Sequence, residues 1–105
     1  MMLVHMAFHR DVKPGKEAEM IESMKQFGRA MQGKPGFRQS YSLRDPKSNA
    51  LAGLAIWDSP ADLAAARPAM SEAIRNVDFS QLEDSAPEVY LFEIAWAGGE
   101  LLRTD

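Results

Sequence analysis

The sequence predicts one α+β domain, a four-stranded antiparallel sheet with two helices on one of its faces. Three observations lead there. Segments with strand-like and helix-like hydrophobic periods follow one another as strand, helix, strand, strand, helix, strand. The turn between the two middle strands, Asp45 to Asn49, is short enough to close an antiparallel hairpin. With 105 residues, the chain can bury about two-thirds of the surface its unfolded form exposes, which suits one core.

Each element has its own signal. Leu3 to Val12 is β-compatible and stops at Lys13-Pro14-Gly15-Lys16, where proline and glycine end a strand and can open a helix. Between Pro14 and Gln32, the residues Met20, Met24, Phe27 and Met31 recur at spacings of four, three and four, with Glu17, Glu22, Lys25 and Arg29 elsewhere, which predicts an amphipathic helix. Gly33-Lys34-Pro35-Gly36 ends it. From Phe37 to Leu43 the residues alternate, which groups Phe37, Gln39, Tyr41 and Leu43 on the inward side of the second strand. Ala50 to Trp57 is the third strand. Ser59-Pro60 with Asp62 marks a helix start: an N-cap hydroxyl, a proline at the first helical position and an acid in the first turn. Leu63, Ala66, Met70, Ala73, Ile74 and Val77 keep the helical period, while Pro68 predicts a break into two helical pieces. Asp78 to Glu88 is polar and mixed, with room for a short helical turn, and Val89 to Ala97 is the last strand. Residues 1–97 are thus one domain and 98–105 a C-terminal tail.

This element order is the split βαβ pattern of the ferredoxin-like fold. Two helices cover one face of such a sheet, and a wet second face should be polar. Here it is not: Val4, Met6 and Phe8 oppose Leu3 and Ala7, and Tyr90, Phe92, Ile94 and Trp96 oppose Val89, Leu91 and Ala95. The expected remedy is a homodimer through the sheet face.

Composition narrows the function. A net charge of −3 without a clustered basic surface argues against nucleic acid as a partner. The absence of cysteine removes disulfides, thiolate metal sites and cysteine nucleophiles and is compatible with a cytoplasmic location. No run approaches the roughly 20 apolar residues of a membrane span, so no membrane association is expected. Met1 to Phe8 lacks the basic start of a signal peptide and is interrupted by His5.

The opening strand, the Lys-Pro-Gly-Lys entry to the first helix, Pro35-Gly36-Phe37 and above all Ile56-Trp57-Asp58-Ser59-Pro60-Ala61-Asp62-Leu63 resemble the antibiotic biosynthesis monooxygenase family, from Leu3 to about Trp96. The resemblance implies a dimeric α+β barrel, oxygenation without a cofactor or metal, and a small aromatic or quinol-like substrate. Members commonly carry a histidine about nine residues beyond the tryptophan. Ala66 stands there in this chain, with Arg67 beside it. Haem-degrading relatives use an asparagine late in strand one, a tryptophan in helix two and a later histidine ligand. His9, Ala66 and a residue near Asn76 occupy those places, and no histidine follows His9, which argues against haem chemistry.

Four residues are candidates for the site. His9 is the candidate general base, since an imidazole titrates near physiological pH, and a purely structural histidine is the alternative. His5 shares its strand face, but a spacing of four places the pair about 13 Å apart, too far to chelate one metal. Trp57 could line an aromatic pocket or pack in the core, and Tyr41 could offer a phenol to the substrate or be core. Arg67, like Arg75, could hold an acidic substrate or be solvated. Glu93, between Phe92 and Ile94, is either a perturbed carboxylate in a cavity or a rim residue, and the methionines read as adaptable core filler. Beside the monooxygenase stand two other expectations, a non-catalytic dimeric ligand-binding or stress-response module and an isomerase or lyase that uses the same histidine without oxygen.

Overall fold

In the computed structural model, residues 1–99 are described; of the tail read at 98–105, residues 100–105 therefore lie outside the described part. The elements are β1 (Leu3–His9), α1 (Glu17–Met31), β2 (Phe37–Arg44), β3 (Leu51–Trp57), α2 (Pro60–Ala73) and β4 (Glu88–Glu93), with a single 3-10 turn at Phe79–Gln81 before β4. The strands lie in the order β2-β3-β1-β4, every pair antiparallel. This is the ferredoxin-like βαββαβ arrangement that the periodicities predict.

Two elements end earlier than the sequence suggests. β1 stops at His9, where Arg10 and Asp11 turn, and Val12 rejoins as an isolated bridge to Glu83. In an unbroken strand His9 and Val12 would face opposite ways. The turn lets both be buried. β4 stops at Glu93, short of Ala97, with one further backbone bond from Ile94 N–H to Met2 C=O.

α2 corrects a second expectation. It runs unbroken through Pro68 rather than splitting. Proline removes one N–H donor, to the carbonyl of Ala64, and both residues are exposed, so water can satisfy that carbonyl. Leu63, Ala66 and Met70, on either side of the proline, are anchored in the core. At its start the Ser59 hydroxyl accepts the Asp62 N–H at 3.2 Å and donates to the Asp62 carboxylate at 2.8 Å. Gly36 packs against that cap with φ of +80°, and a Cβ there would collide with Asp62, so only glycine fits.

The third correction concerns β2. Its pairing with β3 is bulged between Phe37 and Gln39: Phe37 opposes Trp57, but Gln39 opposes Ile56 and Tyr41 opposes Leu54. The extra residue flips the remainder of the strand. Phe37 therefore stays on the helix side, in edge contact with Trp57 at 5.4 Å, while Tyr41 lies on the open face and not, as simple alternation has it, on the inward one.

Two apolar clusters join the helices to the sheet. At one end Trp57, Leu3, Leu63 and Met70 pack together; at the other, Val12, Met20, Leu51 and Leu82. The open face carries Val4, Met6 and Phe8 of β1 alongside Tyr90 and Phe92 of β4. β4 is apolar and exposed on both sides, with Leu91 54% and Phe92 57% accessible.

Candidate functional site

Between the two clusters the packing of helices on sheet leaves a space. On the sheet, His5 pairs with Ala55, Ala7 with Gly53 and His9 with Leu51, so the floor between the two histidines is made by Ala7 and Gly53. Gly28 of α1 is equally small. The result is a cavity of about 1170 Å³ whose wall includes His5, His9, Met24, Phe27, Arg67 and Glu83. A space of this size is large enough to hold a small molecule. Met24 and Phe27 belong to the inward stripe of α1 yet are only half-buried, because they border space instead of packed side chains.

His9 stands at one end, 7% exposed, with Nδ1 3.1 Å from Oε1 of Glu83. The turn after β1 creates this pair. Lys13 N–H donates to the Leu82 carbonyl and Asp84 N–H to that of Asp11, which clamps Glu83 beside the end of the strand. With Glu83 ionised, the Nδ1–H of His9 donates to it and Nε2 is left as the basic nitrogen. Oε2 of Glu83 is buried and has no partner among the described residues. A carboxylate oxygen in that situation is costly, which makes it a mark of function rather than of stability.

His5 meets different surroundings at the other end. Burial, and secondarily the Arg67 guanidinium, lower its pKa, so at neutral pH it is an uncharged imidazole. Arg67 reaches the cavity from α2 and forms no ion pair with a described residue.

The structure thus brings His9, Arg67 and Tyr41 to one cavity and leaves Trp57 out of its wall. Trp57 is 0% exposed at the centre of the first cluster and does not line the cavity; its indole N–H is buried without a partner among the described residues. Tyr41 borders the cavity from β2, but its side chain is in register with Leu54 on the open face. Arg75 pairs with Glu72, and Glu93 is exposed on the edge strand. Ala66 is core. Among the described residues, no three histidine or acidic side chains cluster as metal ligands, and no helix is long and apolar enough to cross a membrane.

Glu83 is the residue sequence reasoning missed, since it lies in a stretch that reads as polar and mixed. The available signal was Leu82, an apolar residue in that polar run, which marks a turn that buries one side.

No protein-family model and no curated protein matches this sequence. Solved structures do match in fold. A protein provisionally named an antibiotic biosynthesis monooxygenase, from Chloroflexus aurantiacus, is 20% identical with a TM-score of 0.73, over 94% of this chain and 98% of that one. One provisionally named in the same way, from Nitrosomonas europaea, is 13% identical with a TM-score of 0.78, over 93% and 94%. A variant of SnoaB, a cofactor-independent oxygenase from Streptomyces nogalater, is 18% identical with a TM-score of 0.76, over 94% and 98%. This chain therefore has the fold of the antibiotic biosynthesis monooxygenases and resembles them over nearly its whole length.

Proposed function

We propose that this chain is a cytoplasmic, cofactor-independent monooxygenase that acts on a small aromatic or quinol-like molecule, with His9 as the base. The observation that carries the reading is the His9–Glu83 pair in the wall of a mainly apolar cavity. SnoaB, of like fold, is described as a cofactor-independent oxygenase, which supports the reaction class.

The chemistry suits an acidic carbon bearing two hydrogens beside a phenol or carbonyl. His9 Nε2 takes one proton, and the resulting carbanion passes an electron to dioxygen. The two radicals join through a carbon–oxygen bond, and the imidazolium returns its proton to the peroxide. Loss of water then leaves a carbonyl. Both hydrogens leave the carbon, one oxygen atom enters it and the other departs as water, so the substrate itself is the reductant. Apolar walls favour this by excluding the water that would quench the carbanion.

The protein works as a homodimer through the open sheet face. Val4, Met6, Phe8, Tyr90 and Phe92 form an apolar surface of the kind that marks an interface. Light scattering at micromolar concentration should give twice the chain mass, and a monomer would contradict it.

Ala66, in place of the histidine common in the family, favours a second reading, a ligand-binding module without turnover. Oxygen consumption with a panel of quinols and anthrone-like phenols separates the readings. Uptake that His9→Ala abolishes supports the oxygenase. Turnover that persists without oxygen points to an isomerase or lyase, and binding without turnover to the module.

A further inference from the structure

The cavity has a chemical direction, set by the groups at its two ends. At the His9 end both groups left over are acceptors: Oε2 of Glu83, buried without a partner among the described residues, and Nε2 of His9 once Nδ1–H donates to Glu83. An anion brought there would be repelled by the carboxylate. A hydroxyl would be welcomed, because it supplies the donor that the buried oxygen lacks. At the His5 end the balance is reversed. Arg67 is a cation without a carboxylate partner among the described residues, and the neutral His5 beside it adds no negative charge. Of the other cations at the rim, Arg29 is paired with Glu22, and Lys25, exposed as Arg67 also is, does not act on His5 as Arg67 does.

The ends lie four strand positions apart, about 13 Å along β1, with Ala7 and Gly53 as the floor between them. We infer that the ligand is two-ended and lies along β1, with a hydroxyl at His9 and Glu83 and a carboxylate or other anionic oxygen at Arg67. Glu83 is then a positioning residue, which holds the His9 ring by one oxygen and orients the ligand hydroxyl by the other. The inference rests on the proposed function only for the choice of cavity. A conjugated ligand would carry the charge released at the His9 end toward the guanidinium.

Calorimetric titration under argon tests it without reference to turnover, with three probes: para-hydroxycinnamate, cinnamate, which lacks the hydroxyl, and methyl para-hydroxycinnamate, which lacks the charge. The complete probe should bind about tenfold more tightly than either of the others, since a hydrogen bond to a charged group is worth at least that factor. Glu83→Gln should shrink the hydroxyl advantage and leave the carboxylate advantage, and Arg67→Gln should do the opposite. A variant that fails to fold by circular dichroism is replaced by Glu83→Asp or Arg67→Lys. Equal affinities for the three probes, no binding at millimolar concentration, or variants that weaken both ends alike would overturn the inference. Failure of the oxygenase reading would show separately, as absence of oxygen uptake while this affinity pattern stands.

Discussion

His5 and His9 occupy the same face of the same strand, yet the fold gives them opposite surroundings. His9 ends β1 and meets a carboxylate delivered by the return of the chain at Glu83. His5 sits mid-strand under the helices, where burial and Arg67 disfavour its charged form. Identical side chains on one surface thus become a carboxylate-paired imidazole and a neutral wall. What differs is the distant segment that each one touches.

The largest expected effect breaks this contrast at its stronger end. His9→Ala should lower turnover about 10²–10⁴-fold, the usual contribution of a positioned base, with a much smaller change in substrate affinity. His5→Ala should cost less than tenfold in kcat. Steady-state kinetics on one substrate decides, and equal losses would remove the distinction between the histidines.

Next in size is the core that holds the cavity open. Trp57→Ala should destabilise the fold by about 3–5 kcal/mol, as expected for a large aromatic removed from a packed interior. Denaturant unfolding measures this, and a loss below about 1 kcal/mol would show that the cluster around Leu3 and Leu63 repacks.

A subtler outcome comes from pH. Because the folded-state pKa of His5 is lowered from 6.5, the unfolded chain takes up its proton first as pH falls. The contribution of this group to stability is full above pH 6.5, declines through the window below it, and levels off once the folded pKa is passed. Melting temperatures of the wild type and His5→Gln should therefore diverge in slope below pH 6.5. Parallel curves would mean that His5 is not buried as described.

The smallest effect is expected at Tyr41. Because the bulge puts Tyr41 in register with Leu54, at the border of the cavity and not between the two histidines, Tyr41→Phe should alter kcat by less than about twofold. A large loss of kcat in a variant that still forms the same oligomer would return Tyr41 to the chemistry.

Much of the fold was legible because strands and helices announce themselves locally. Alternation, the Pro-Gly breaks and the Ser59-Pro60 cap each depend on neighbours in sequence. The failures share an opposite cause. Nothing in Phe37-Arg38-Gln39 announces a bulge, and one extra residue was enough to move Tyr41 to the other face. Pro68 by itself predicts a break, but the solvent exposure of Ala64 and the anchoring of Leu63, Ala66 and Met70 are tertiary facts. For the site, a strand histidine made His9 a candidate, whereas its partner lies 74 residues away in a stretch with no pattern of its own. The cavity was invisible for the same reason, since it depends on small residues from three elements, Ala7, Gly53 and Gly28, coming together.

The central claim is that Glu83 fixes His9 with Nδ1 protonated and Nε2 free to act as a base. Nitrogen-15 NMR of the imidazole rings addresses it directly, because the chain has only two histidines and a single variant assigns both. Above the pH at which the rings are neutral, His9 should show a protonated Nδ1 and an unprotonated Nε2, and Glu83→Gln should shift it toward the Nε2–H tautomer that is favoured in free histidine. A His9 ring that already carries its proton on Nε2 in the wild type, or that does not respond to Glu83→Gln, would contradict the account.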